Sequence, residues 1–219
     1  MTPEIAALCK KYCGAVAVSW YRSEYTLNAI EMLLAAGVKT NIHYVLGKNS
    51  IDEAISRLKK DDFPKGINAV IFLLHKPAGL GTKDNVLSAE DPRVAEFFGQ
   101  VDGRHSFKIG MDSCNVPGAI NFCKSVEPES LDTCEGGRYS CYIGADMIMV
   151  PCSFDQSQKY MVSLQKMNIS EAWNSEAFEQ FRNHMRKACP TCNKKELCMG
   201  GLSAYAGNCF LYKRRKKMI

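Results

Sequence analysis

Long hydrophobic runs are missing from this 219-residue chain. Nothing in it approaches the ~20 apolar residues that a membrane-spanning helix needs. The first residues, MTPEIAALCKKYCG, lack a basic stretch leading into an apolar one, so they do not read as a secretory signal. Histidine is sparse, with His43, His75, His105 and His184 scattered along the chain. No HExxH, GxSxG or Walker sequence is present, which removes the commonest metalloprotease, esterase and nucleotide-hydrolase readings. There is no internal sequence repeat and no low-complexity linker. The net charge of +5 owes much to the run KRRKK at 213–217. Without aromatic residues interleaved among those cations, the run reads as a solvated tail, and neither nucleic acid nor a membrane is expected as a partner. The expected location is the cytosol.

What is present is an alternation of strand and helix signals over residues 1–111. Residues 15–20 (AVAVSW), 39–46 (KTNIHYVL) and 67–74 (INAVIFLL) are short, apolar and rich in β-branched side chains. Strands apolar on both faces belong to parallel sheets covered by helices. Between them, residues 24–36 place Leu27, Ile30 and Leu34 on one helical face and stop at Gly37. Ser50 and Glu53 match the S-x-x-E capping box, followed by the stripe Ile51, Ala54, Ile55 and Leu58. A further helix is expected over 91–101, introduced by Pro92. The fold class is therefore α/β, with about three βα units of a partial barrel.

From about residue 112 the rhythm stops and cysteine density rises. Residues 138–143 and 147–150 flank Gly144-Ala145-Asp146 and predict a β-hairpin. Residues 170–187 predict one amphipathic helix with Trp173, Ala177, Phe181 and Met185 on a core-facing stripe. A second domain is thus expected over 112–219.

The chain has 11 cysteines. In a reducing cytosol, close spacings point to metal binding rather than disulfides. Cys189, Cys192, Cys198 and Cys209 form C-x2-C-x5-C-x10-C, with Gly200 and Gly201 letting the backbone turn closely. Four thiolates suit either a zinc ribbon or a [4Fe–4S] cluster, and spacing alone does not separate them. Cys134, Cys141 and Cys152 straddle the predicted hairpin. Three thiolates are too few for a closed structural zinc site but enough for a cluster with one open iron. Cys9 and Cys13 give C-x3-C, but Val16 stands where a third thiolate would be needed, so they read as helix or strand-edge thiols. Arg22 and Lys76 face either a pocket or solvent. G-L-G at 79–81 is too weak for a phosphate loop, and Asn168-Ile169-Ser170 matches a glycosylation acceptor without meaning in the cytosol.

The stretch from Cys134 to Cys209 resembles a SPASM domain, the C-terminal extension of many radical SAM enzymes. Val150-Pro151-Cys152, the segment EAWNS at 171–175, and C-x2-C-x5-C followed by Gly-Gly carry the resemblance. VSWYRS at 18–23, IHYVLGKN at 42–49 and FLLHKPAG at 72–79 resemble the fourth, fifth and sixth strands of the radical SAM partial barrel. The resemblance implies two auxiliary [4Fe–4S] clusters. Cys189, Cys192, Cys198 and Cys209 would hold the second, and Cys134, Cys141 and Cys152 the first. Ser19 would lie where family members contact the SAM ribose. Two departures stand out. Leu202 occupies the position of the family's last cysteine, which implies an open first cluster, or none. Met147 occupies a position that is usually glycine in the family.

The resemblance implies a peptide- or protein-modifying maturase that works by SAM-derived radical chemistry. The family's C-x3-C-x2-C loop is missing from the sequence, so the expectation is a portion unable to cleave SAM alone: either a separate N-terminal half-barrel chain completes it, or Met1 is an internal start in a truncated gene. The alternative is a non-catalytic zinc- or cluster-binding module that docks a partner protein.

Overall fold

The computed structural model describes residues 1–21, 23–155 and 157–187, together with Cys192 and Cys198. Helix α1 (Pro3–Tyr12) opens the chain, capped by the Thr2 hydroxyl, which accepts from the Ile5 N–H. Cys9 lies on this helix and Cys13 at its C-cap, so both are helix thiols as expected. The sheet then builds in sequence order: β1 (Val16–Ser19), α2 (Glu24–Ala35), β2 (Thr40–Leu46), α3 (Ile51–Lys60), β3 (Ala69–Leu74), α4 (Pro92–Val101) and β4 (Lys108–Met111). All neighbouring strands are parallel, in the order β1-β2-β3-β4. This is the expected α/β partial barrel, with a fourth strand that the sequence pattern did not predict.

The core follows from the apolar patterns. Ile42, Tyr44 and Leu46 of β2 and Val70 and Phe72 of β3 are buried, and Ile51, Ala54, Ile55 and Leu58 of α3 pack onto the same cluster. Phe97 and Phe98 of α4 complete it. Phe97 stands edge-on to Phe72 at 4.9 Å between ring centroids, a favoured aromatic geometry. The α3 stripe is as predicted, but the capping box is not formed. Ser50 makes no side-chain cap bond; its hydroxyl donates to the Val45 carbonyl and accepts from the Gly47 N–H. Glu53 reaches away from the helix end, accepting from the Tyr44 hydroxyl at 3.0 Å and the Arg57 guanidinium at 2.8 Å.

Helix α5 (Val116–Phe122) follows β4, and the chain then changes architecture. Strands β5 (Tyr142–Ile143), β6 (Ile148–Val150) and β7 (Val162–Ser163) form a small antiparallel sheet. Strands β5 and β6 make the predicted hairpin. Its turn holds Met147 at φ +62, a left-handed conformation that favours glycine.

Helices α6 (Ile169–Trp173) and α7 (Glu176–Lys187) close the described chain. They replace the single helix expected over 170–187. Asn168 and Glu171 form a reciprocal capping box at α6. The break falls at Asn174 and Ser175, where the Ser175 carbonyl and hydroxyl restart the next helix. The stripe survives the break, since Phe181 and Met185 are buried and Trp173 packs on Phe178. Among the described residues, no helix is long and apolar enough to cross a membrane.

Candidate metal centre

The end of β4 leads into the loop Asp112-Ser113-Cys114-Asn115. The Asp112 carboxylate is tied by several donors: Lys76 at 2.5 Å, the Leu74 N–H at 3.2 Å, and the Asn115 N–H and side-chain amide at 3.2 and 3.0 Å. Asn115 is fully buried and also donates to the Phe72 carbonyl at 3.0 Å. A short loop held at both ends in this way gives Cys114 little freedom to move.

Opposite this loop stands the turn carrying Cys134. Its backbone N–H groups at 138, 139 and 140 all converge on the Glu135 carbonyl. A Cβ on Gly136 would meet the Pro151 carbonyl at 3.0 Å and sit 3.6 Å from the Cys152 Cβ and 3.7 Å from the Cys134 Sγ. Gly137 has φ +66, and a Cβ there would press to 2.9 Å on Phe181. The turn is pinned from behind by Arg182 of α7, which donates to the Gly137 carbonyl at 2.6 Å and to the Trp173 carbonyl at 2.7 Å. Arg138 donates to the Cys134 carbonyl. Cys134 is buried against Tyr160, Phe181 and Met185, with Cys152 packed on the same cluster.

Cys134, Cys141 and Cys152, the predicted first set, line one cavity of about 400 Å³. Cys114 lines it too. Burial pushes the Cys152 thiol up. Burial, and next the Asp112 carboxylate, push the Cys114 thiol up to about 12. Protonated thiols of this kind lose their protons on ligating a metal. Among the described residues, no three His, Cys, Asp or Glu side chains lie close enough together to hold a metal ion. A single zinc would draw its thiolates to within about 3.8 Å of one another, given Zn–S bonds of ~2.3 Å. A [4Fe–4S] cluster binds each thiolate to a separate iron and so sets them further apart. The thiols that line the cavity are donors of the type an iron–sulfur cluster takes.

Of the second set, Cys192 is half-buried and Cys198 buried, whereas Cys189 and Cys209 lie outside the described residues, as do Leu202 and Arg22. Ser19 is exposed at the C-terminal end of β1, its strand paired to β2 at His43. Lys76 is not a solvent-facing cation. It is buried, ion-paired with Asp112, and lies 4.4 Å from the Phe154 ring centroid. His75 bonds the Thr82 carbonyl at 2.9 Å. These side chains border a second cavity of about 590 Å³ at the C-terminal ends of β2 and β3, where α/β folds place their ligands. Phe154 borders both cavities.

Residues 134–194 match the SPASM family, an iron–sulfur cluster-binding domain. The chain's overall fold is similar to native anSMEcpe with bound AdoMet, at a TM-score of 0.58 and 15% identity, over 93% of this chain and 63% of that one. Native anSMEcpe with bound AdoMet and Kp18Cys peptide is similar at a TM-score of 0.57 and 15% identity, with the same coverage. The chain thus spans 63% of the length of the solved structures it matches. No curated protein matches it. SPASM domain and partial barrel together resemble the C-terminal portion of a radical SAM/SPASM enzyme, as the motifs implied.

Sequence reasoning missed Cys114, Asp112 and the partnership of Lys76. The available signal was the tetrapeptide DSCN directly after a short strand, at the strand end where sites collect.

Proposed function

We propose that this chain binds [4Fe–4S] clusters as the C-terminal portion of a radical SAM/SPASM maturase acting on a peptide or protein. One observation carries this reading: thiols from three separate segments of the SPASM domain border a single cavity beside the C-terminal edge of the parallel sheet. When bound there, a cluster supplies one-electron transfer or an iron that takes a ligand. The chain's own contribution is to orient. Arg182 and Gly137 fix the Cys134 turn against α7. The Lys76–Asp112 pair holds the strand-end loops that separate the two cavities.

The cavity beside His75, Lys76 and Leu80 would receive a peptide side chain, in keeping with the peptide bound to the similar anSMEcpe. The 219 residues contain no C-x3-C-x2-C motif, so cleavage of SAM would depend on cluster ligands from further residues, on the same polypeptide or on another. The second cluster is proposed on Cys189, Cys192, Cys198 and Cys209, and SAM contact on Ser19. A cytosolic location follows from the same reading.

Anaerobic reconstitution tests the proposal. The protein should take up iron and acid-labile sulfide in equal amounts, about eight irons per chain if both sites fill. Cys134→Ala and Cys189→Ala should each remove about half. A colourless protein that prefers zinc, with no sulfide, would favour the non-catalytic interaction module instead.

A further inference from the structure

We propose that Cys114 is the fourth thiolate of the first cluster site, closing the set begun by Cys134, Cys141 and Cys152. The inference rests on the cluster-binding reading above and adds a ligand from outside the SPASM domain. The expectation of an open iron came from Leu202, which has no sulfur to offer. The fold offers sulfur from another direction. Cys114 projects from the β4–α5 loop onto the cavity bordered by the three SPASM thiols.

The other donors near this wall are less suited. Asp112 is occupied by Lys76, the Leu74 N–H and Asn115. The loop that carries Cys114 is also fixed before any metal arrives, because the buried Asn115 amide nitrogen donates both to the Phe72 carbonyl and to Asp112. A preset thiol loses little conformational freedom on ligation. The consequence is chemical. Four thiolates saturate the cluster, so it would transfer electrons and would not bind a substrate atom directly. It would also tie β4 of the barrel to the SPASM domain through iron.

The test uses the full chain carrying Cys189→Ala, which leaves only the first site filled. Reconstituted anaerobically, this protein should hold about four irons. Adding Cys114→Ala should expose one iron. Mild oxidation should then release it, leaving about three irons and the near-isotropic electron paramagnetic resonance signal of a three-iron cluster. Imidazole or 2-mercaptoethanol should alter the reduced spectrum of that variant and leave the Cys189→Ala protein unchanged.

Cys114→Ser separates ligation from folding. A serine oxygen should keep about four irons with an altered spectrum and reduction potential. The proposal is overturned if Cys114→Ala keeps about four oxidation-stable irons and a ligand-insensitive spectrum. It is equally overturned if Cys114→Ala loses its iron while Cys114→Ser shows the unaltered spectrum, since a purely packing role would behave that way. A Cys189→Ala protein that takes up no iron would instead refute the first cluster site itself, and Cys114 with it.

Discussion

Lys76→Met should destabilise the protein by about 2 kcal/mol, and the reason lies in where its charge sits. The Lys76 side chain is only 6% exposed and its ammonium lies 2.5 Å from an Asp112 carboxylate that is 18% exposed. Removing one member of a buried pair typically costs ~3–5 kcal/mol, because the other charge is stranded. Here Asp112 would keep its bonds from the Leu74 N–H and from Asn115, which lowers the figure. The methionine would retain contact with the Phe154 ring, replacing the present cation–π contact. Asp112→Asn should cost more, about 3 kcal/mol, because it strands a buried ammonium and weakens the carboxylate's bonds to the loop. The double variant should recover about 1–2 kcal/mol relative to the sum, which is the coupling of a direct pair. Anaerobic urea unfolding followed by circular dichroism measures all three midpoints, with an unchanged slope showing that stability alone has moved. A buried pair is screened little, so the loss should persist at about 0.5 M salt. Additivity within ~0.3 kcal/mol, or a Lys76→Met cost that vanishes in salt, would refute the claim that this pair binds the strand ends together.

Three further outcomes are expected. Gly137→Ala should cost about 2–4 kcal/mol, combining a left-handed backbone with a 2.9 Å collision on Phe181; iron uptake at the first site should fall with it while the second site stays filled, as iron analysis would show. Met147→Gly should stabilise the hairpin by about 0.5–1 kcal/mol, since φ +62 is strained for methionine, and thermal denaturation would read this as a higher midpoint. Asp91→Ala should cost about 1 kcal/mol through the lost N-cap of α4, whose Arg93 N–H it accepts at 3.0 Å. The Arg93 side chain holds the Asp91 carboxyl below its usual range. Its contribution is therefore full above about pH 4 and fades as pH falls through the lowered value, so the variant and the parent should converge in stability under acid.

The sheet was legible wherever burial itself wrote the pattern. Strand β3 is wholly apolar and has no exposed residue, so its run can be read directly, while β2 buries every second residue, Thr40, Ile42, Tyr44 and Leu46, and shows the alternation of a one-sided strand. Strand β4 is four residues at the sheet edge, includes a lysine and a glycine, and has no buried run to betray it. Its existence is decided by pairing with β3 at Ala69 to Phe72, a contact that no local pattern encodes. Ser50 and Glu53 show the opposite failure. The motif is present, but Tyr44 and Arg57 offer Glu53 partners made available only by the fold. The four-residue repeat from Trp173 to Met185 was real, yet it could not reveal the break at Asn174, because two helices that share one core keep their stripes aligned.

The thiols divide along the same line. Cys134, Cys141 and Cys152 were legible because they crowd one stretch of sequence around a hairpin. Cys114 stands 20 residues before Cys134, alone after a strand, and only the β4–α5 loop carries it to the shared cavity. Thiols gathered from one segment can be counted from spacing, whereas a set that would include Cys114 crosses from the parallel sheet to the small antiparallel sheet and is visible only in three dimensions. That crossing has an energetic corollary. Metal affinity at such a site is folding free energy, so assembly there would couple the parallel sheet to the small antiparallel sheet. The two layers should then unfold as one unit with iron bound and in separate steps once it is chelated. Differential protection of β3 and β6 amides in hydrogen exchange would show this. Equal protection with and without iron would mean that the Lys76–Asp112 and Phe154 contacts already join the layers without help.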